Sequence, residues 1–244
     1  MSEQIEGRNP ILEALRSKHE ITKIFMIKGE QNGPLREIAG IAHERGIPIV
    51  NVDHLALQRM TTTRNHQGVI AMAAEWKYAQ VDEILAYATQ RNEAPFILFL
   101  DGVEDPQNFG SIIRTAEAAG VHGIIISERR AVGLTGAVAR ASAGAIEHIL
   151  VARVVNLTRT LEELKACGIW FTAAEMDEGT EFSKADLAGP IGLVMGGEGK
   201  GISRLVKEHC DQVVQLPMYG KINSLNVAVA TGVFLYEIRR QRLG

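Results

Sequence analysis

From Pro95 onward the chain alternates short unbroken apolar runs with capped helices, and few folds accept that pattern. Residues 96–100 and 123–127 each read as a buried strand of a parallel sheet, and 190–195 reads as a strand. Helices are expected at 111–119, stopped by Gly120, and from Thr135 through Ala143-Gly144. Another is expected at 157–167, capped by Asn156 and ended by Gly168. Further strands are expected at 148–154, 169–174 and 213–216, with a short helix at 202–210 and a long one from Val227 to about Arg239. This spacing predicts a mostly parallel α/β sheet. Ligands of such sheets bind beyond the carboxyl ends of the strands. The loops after Leu100, Met195 and Leu216 all leave those ends.

The front of the chain repeats the alternation on a smaller scale. Asn9-Pro10 predicts a helix start, residues 21–28 a strand, and Pro34 a helix that runs to Gly46. A strand at 48–52, a short helix capped by Asp53, a polar loop at 61–67 and a strand at 68–74 complete a small α/β unit. Residues 76–94 change character and read as a linker with a helix inside, capped by Asp82. The expected division is 1–75, 76–94 and 95–244. Within 244 residues no apolar run reaches membrane-spanning length, and MSEQIEGRNP carries no signal peptide. Cys167 and Cys210 lack metal-ligand spacing, so reduced thiols in the cytoplasm and no structural metal are expected. The net charge of −3 argues against a generally basic nucleic-acid binder but leaves room for a local basic patch.

Three loops could carry chemistry. The first is residues 101–110, leading to Arg114; Asn108 is placed to cap the following helix. Arg114 reads either as a solvated helix arginine or as a clamp for a phosphate or oxyanion, using the guanidinium fork. The second, 195–201, has glycine at 196, 197, 199 and 201 around Glu198. It is neither a Walker A loop nor a dinucleotide fingerprint, because Gly201 follows Lys200 and the spacing fails both patterns. It is either a tight turn or a surface that a ligand approaches closely. The third is 217–226, where Gly220 permits an unusual turn and Ser224 and Asn226 open the last helix, as plain caps or as the wall of a nucleotide pocket. The histidines are scattered, with His66 in the polar N-terminal loop the one of interest.

In order, DPQNFGSIIRTA, LVMGGEGKGI and LPMYGKINSLNVAVATG resemble the three motifs of the SpoU branch of the SPOUT methyltransferases. Each alone is a weak signal; all three, ordered within 95–244, are specific. EGRNPILEAL and HQGVIA resemble the small ribosomal-protein-like RNA-binding domain that precedes many such catalytic domains, so the resemblance covers nearly the whole chain. It implies a C-terminal α/β domain with a deep trefoil knot, S-adenosylmethionine as cofactor, and a homodimer with each active site at the interface. The implied substrate is the 2′-hydroxyl of a guanosine in the peptidyl-transferase region of 23S ribosomal RNA. The positions matching the cofactor pocket are Gly196, Leu216, Met218 and Leu225. The implied reaction centre is Asn108, Arg114, Glu198, Ser224 and Asn226. Arg8, Lys28, Arg64 and His66, with Lys221 from the cofactor loop, are expected to contact RNA.

Three rival readings remain at this level. Some SpoU proteins modify transfer RNA, and some antibiotic-resistance relatives modify another ribosomal site. A ribosome-assembly protein that has lost its chemistry is opposed by the intact motif residues. A generic nucleotide-binding protein is opposed by the failed phosphate-loop patterns.

Overall fold

The structure is a computed structural model of the chain and describes residues 2–29, 33–61, 65–176 and 178–244. It divides into two compact units.

The first unit comprises Met1–Lys77 together with Gly133–His148. Its elements are β1 (Ser2–Glu6), α1 (Arg8–Arg16), β2 (Ile21–Ile27), α2 (Gly33–Glu44), β3 (Ile49–Val52), α3 (His54–Met60) and β4 (Val69–Ala74). The sheet order is β1-β4-β2-β3, with β4 antiparallel to both neighbours and β2 parallel to β3. Ile5, Ile11, Leu15, Ile24, Ile38, Leu57 and Ile70 are buried between sheet and helices. Asp53 caps α3 as expected, its Oδ1 accepting from the Ala56 amide at 2.7 Å. Strand β1 was not legible, and α1 starts at Arg8 after Gly7 rather than at a cap on Asn9.

The contribution of residues 133–148 differs from the expected boundary, which kept them with the C-terminal domain. They form α6 (Gly136–Ala141) and a 3-10 turn (Ala145–Glu147) against β1 and α1. A Cβ on Gly136 would lie 1.8 Å from the Gln4 carbonyl, so glycine is what allows this approach. Glu147 then enters a buried cluster. Its carboxylate accepts from Trp76 Nε1 at 2.7 Å and Ser17 Oγ at 2.9 Å, and lies 3.2 Å from His19 Nδ1.

The second unit is Tyr78–Val132 with Ile149–Gly244. Its helices are α4 (Val81–Gln90), α5 (Pro106–Ala118), α7 (Leu157–Ala166), α8 (Arg204–Glu208) and α9 (Val227–Arg242). Its strands are β5 (Phe96–Asp101), β6 (Gly123–Ser127), β7 (Leu150–Val154), β8 (Trp170–Glu175), β9 (Thr180–Glu181), β10 (Ile191–Gly196) and β11 (Gln212–Gln215). Every pairing in the order β7-β6-β5-β10-β8-β11-β9 is parallel. The unbroken apolar runs of β5, β6 and β10 are buried on both faces, as a parallel sheet requires. The expected linker is part of this unit: Ala79 bridges to Ala152, and Ile84 of α4 is fully buried against Ile125 and Ala152. Helix α4 is entered at Gln80, whose amide donates to Glu83 at 2.6 Å, rather than at Asp82.

Candidate active site

Three strands deliver the site. The Gly196 end of β10 pairs with Asp101 at the end of β5, so the loops that follow leave the sheet side by side. They touch backbone to backbone. The Gly197 amide donates to the Asp101 carbonyl at 2.8 Å, and the Ser203 amide donates to Asp101 Oδ2 at 2.8 Å. A Cβ on Gly197 would sit 1.8 Å from the Gly102 carbonyl, and one on Gly196 would sit 2.1 Å from the Gly201 backbone. Side chains at these two positions would force the loops apart, so the glycine cluster is a requirement of close approach.

Asn226 joins all three loops. Its Nδ2 donates to Asn108 Oδ1 at 2.8 Å and to Glu198 Oε1 at 2.9 Å. Its Oδ1 accepts from the Ala228 and Val229 amides at 3.0 and 3.3 Å, capping α9. One side chain thus fixes the start of α5, the glycine loop and the start of α9. This corrects the reading of Asn108 as a cap. Asp105 caps α5, its Oδ1 accepting from the Asn108 amide at 2.8 Å, and this leaves the Asn108 side chain for Asn226.

Beside this junction lies a pocket of about 450 Å³. Gly196, Leu216, Met218 and Leu225, the four expected cofactor positions, all line it. So do Ser224, Glu198, Asn226, Ala230 and Phe234, with Glu175 and Met176 from the end of β8. No motif marks these last two, because only the strand order brings β8 next to β10. Apolar walls, backbone edges around the glycines, and carboxylates at Glu175 and Glu198 suit a nucleoside that carries a cationic group.

Arg114 is the exception among the expected catalytic residues. It is exposed on α5, lines neither this pocket nor its neighbour, and has no partner among the described residues. Helix α5 also packs on α9, with Thr115 against Gly232 and the Ala119 carbonyl accepting from Arg239 Nε at 2.8 Å.

The expected RNA contacts fare unequally. In the first unit Arg8 Nε donates to the Gln67 carbonyl at 2.9 Å, and Ile27, next to exposed Lys28, donates to the Gly68 carbonyl at 3.0 Å. Arg8 and Lys28 therefore share one end of that sheet. His66 is 7% exposed: its Nδ1 accepts from the Gly68 amide at 3.0 Å, and its ring packs edge-on against His54. Arg64 lies outside the described residues. Lys221 is exposed in the loop before α9.

No group of three or more His, Cys, Asp or Glu side chains among the described residues is arranged to hold a metal ion. No helix of the described residues is long and apolar enough to cross a membrane.

The geometry agrees with what the chain is similar to. Residues 95–236 match the model of the SpoU rRNA methylase family, and residues 4–79 match the RNA 2′-O ribose methyltransferase substrate-binding model. YacO of Bacillus subtilis (strain 168), named for the TrmH family of tRNA/rRNA methyltransferases, is 47% identical over 99% of this chain and 98% of its own. A Staphylococcus saprophyticus relative with the same family name is 43% identical over 98% and 95%. Among solved structures, the AdoMet-bound rRNA methyltransferase of Sinorhizobium meliloti superposes with a TM-score of 0.79 at 27% identity, over 100% of this chain and 88% of that one. The SpoU methyltransferase AviRb of Streptomyces viridochromogenes, also bound to AdoMet, shares the fold with a TM-score of 0.82 at 24% identity, over 98% and 90%. With its three loops hydrogen-bonded through Asn226 beside a pocket, and residues that match a substrate-binding model ahead of them in sequence, the chain belongs to the SpoU family and is an S-adenosylmethionine-dependent RNA 2′-O-ribose methyltransferase.

Proposed function

We propose that the acceptor is the 2′-hydroxyl of a guanosine in the peptidyl-transferase region of 23S ribosomal RNA, carried by the ribosomal RNA or by a large-subunit assembly intermediate in the cytoplasm. One observation carries the choice of ribosomal over transfer RNA. The Sinorhizobium meliloti rRNA methyltransferase superposes over 100% of this chain, whereas the two solved structures titled for tRNA modification cover 62% each.

In this reading Gly196, Leu216, Met218 and Leu225 hold S-adenosylmethionine, which supplies an electrophilic methyl on a sulfonium. Asn108, Ser224 and Asn226 position the ribose, and Glu198 holds the Asn226 amide in its bridging orientation. A ribose hydroxyl is a weak nucleophile, so placing it in line and stabilising the charge that develops on its oxygen supply much of the rate. Arg114 serves as that charge or as a grip on the adjacent phosphate.

Arg114 takes this part through a homodimer. Val229, Val233 and Tyr236 are 55%, 38% and 54% exposed along one side of α9, an apolar stripe that favours a self-complementary partner. A second copy seated there would present its Arg114 to this pocket. The knotted C-terminus implied by the resemblance belongs to the same reading. Arg8, Lys28, Arg64 and Lys221 are its RNA contacts.

The test is transfer of labelled methyl from S-adenosylmethionine to unmethylated large-subunit ribosomal RNA and, in parallel, to transfer RNA, followed by nucleoside analysis. Label recovered as 2′-O-methylguanosine from the ribosomal RNA is the expected result. Label confined to transfer RNA, or to another nucleoside, would overturn the proposed target.

A further inference from the structure

A second pocket, about 380 Å³, lies on the other side of the Asn226 junction. It shares Gly197, Glu198, Gly201 and Val227 with the cofactor pocket, and most of its other lining residues are charged or polar. Asp101, Glu104, Asp105, Glu198, Arg130 and Lys200 all face it. Three of the four carboxylates are already engaged. Asp101 accepts from the Ser203 amide, Asp105 from the Asn108 amide, and Glu198 from Asn226. Those bonds come from uncharged amides and leave the carboxylate charges in place; Glu104, Arg130 and Lys200 have no partner among the described residues, and Arg130 and Lys200 are the pocket's two cations.

Arg130 is held there at a conformational cost. Its φ is +57°, in the left-handed region that a residue with a Cβ enters rarely. The loop is pinned on both sides of it. Ser127 Oγ donates to the Arg129 carbonyl, the Glu128 amide to the Val154 carbonyl at 2.7 Å, and the Val132 amide to the Val103 carbonyl at 3.1 Å. A pinned loop that sets an exposed, unpartnered arginine at the rim of a pocket, beside the residues that join the three motif loops, can act as an anion clamp.

We propose that this pocket seats the acceptor nucleotide, and that Arg130, aided by Lys200, grips a backbone phosphate of that RNA strand. The inference rests on the RNA methyl-transfer reading and adds a substrate-binding residue outside the family motifs. The two pockets then divide the labour. One takes the methyl donor and the other the acceptor strand, with Asn226, Asn108 and Glu198 between them. Phosphate binding releases counterions, so it leaves a signature in the salt dependence of affinity that a merely structural residue does not.

The experiment measures affinity for the RNA that the wild type methylates as a function of salt, for wild type, Arg130→Ala and Arg130→Lys, with S-adenosylmethionine affinity measured alongside. Arg130→Ala is expected to weaken RNA binding about tenfold and to flatten the slope of log affinity against log salt by about 0.7. Cofactor affinity stays unchanged, because Arg130 does not line the cofactor pocket. Arg130→Lys, which keeps the charge, restores the slope and most of the affinity. Glu104→Gln, which removes a carboxylate from the same pocket, tightens binding. An unchanged slope in Arg130→Ala with methyl transfer by the wild type intact would overturn the clamp and leave the enzyme reading standing. Absence of RNA binding and methyl transfer in the wild type would overturn both.

Discussion

Two carboxylates, Glu147 and Glu198, each knit together parts of the chain distant in sequence, and they do so in opposite surroundings. Glu147 is 6% exposed at its side chain and holds residues 133–148 onto the first unit through Ser17, His19 and Trp76. Glu198 sits in a glycine loop between two pockets and has one partner among the described residues, Asn226, which also holds Asn108. The buried network satisfies its groups at every side and secures the fold. The exposed one leaves room for a ligand on each flank and arranges chemistry. Satisfied polar groups in a low dielectric are costly to disturb; those at a pocket rim cost little stability to change and much rate.

Alterations of the two networks should therefore separate stability from activity. The largest effect falls on rate: Asn226→Ala should lower methyl transfer by about 10²–10³-fold, the scale for a lost preorganised donor, while losing only the helix cap, about 1 kcal/mol. Single-turnover rates beside chemical denaturation check both halves. Glu147→Ala should reverse the pattern. Leaving His19 and Trp76 without their acceptor costs about 3 kcal/mol, read as an earlier unfolding transition, with S-adenosylmethionine affinity of the folded protein unchanged. A large loss of affinity there would break the contrast.

The pH dependence sharpens it. Both ring nitrogens of His19 face oxygens, Glu147 at 3.2 Å and the Ala74 carbonyl at 2.9 Å, which only an imidazolium satisfies together. The Glu147 contact, above all, raises the His19 pKa. Its contribution is thus fully present below the ordinary histidine value of about 6.5 and is lost as pH rises through the raised one. Burial alone would push Glu147 up, but hydrogen bonds from His19 and Trp76 bring it below the usual carboxylate value. That contribution is present above about 4.3 and is lost as pH falls through the lowered value. Stability of the first unit should be greatest between those two ordinary values, and Glu147→Gln should flatten both limbs of the profile followed by Trp fluorescence. The smallest effect is expected for Glu198→Gln, which still offers a carbonyl oxygen to Asn226 and should reduce the rate less than about tenfold; Glu198→Ala should cost more.

The parts of this account that were legible in the sequence are those fixed by local pattern. The apolar runs of β5, β6 and β10 and the helix caps at Asp53, Asn156 and Asn226 lie where expected, and the four positions proposed to hold the cofactor line one pocket. What was not legible depends on non-local packing. The small-residue helix α6 carries no mark of which unit it covers; Gly136 against Gln4 and Glu147 against His19 decide that. Asp105 and Asn108 are equally good caps three residues apart, and only the third loop, through Asn226, selects between them. His66 lies in a polar stretch but is buried by the turn it makes with Gly68. Strand β1 is too short and polar to announce itself, and pairs because β4 offers an antiparallel edge.

The same limit applies to Arg114, which sequence order groups with Asn108 while the structure turns it away from both pockets. The account holds that one chain supplies the Asn226 junction and the partner subunit supplies Arg114. The most direct measurement is complementation between Arg114→Ala and Asn226→Ala, each inactive alone, co-produced so that mixed dimers form. Each mixed dimer would hold one site with both residues intact, so methyl transfer should return to roughly one quarter of the wild-type level. A mixture as inactive as its components, with mixed dimers present, would mean that Arg114 serves its own chain and would contradict the shared site.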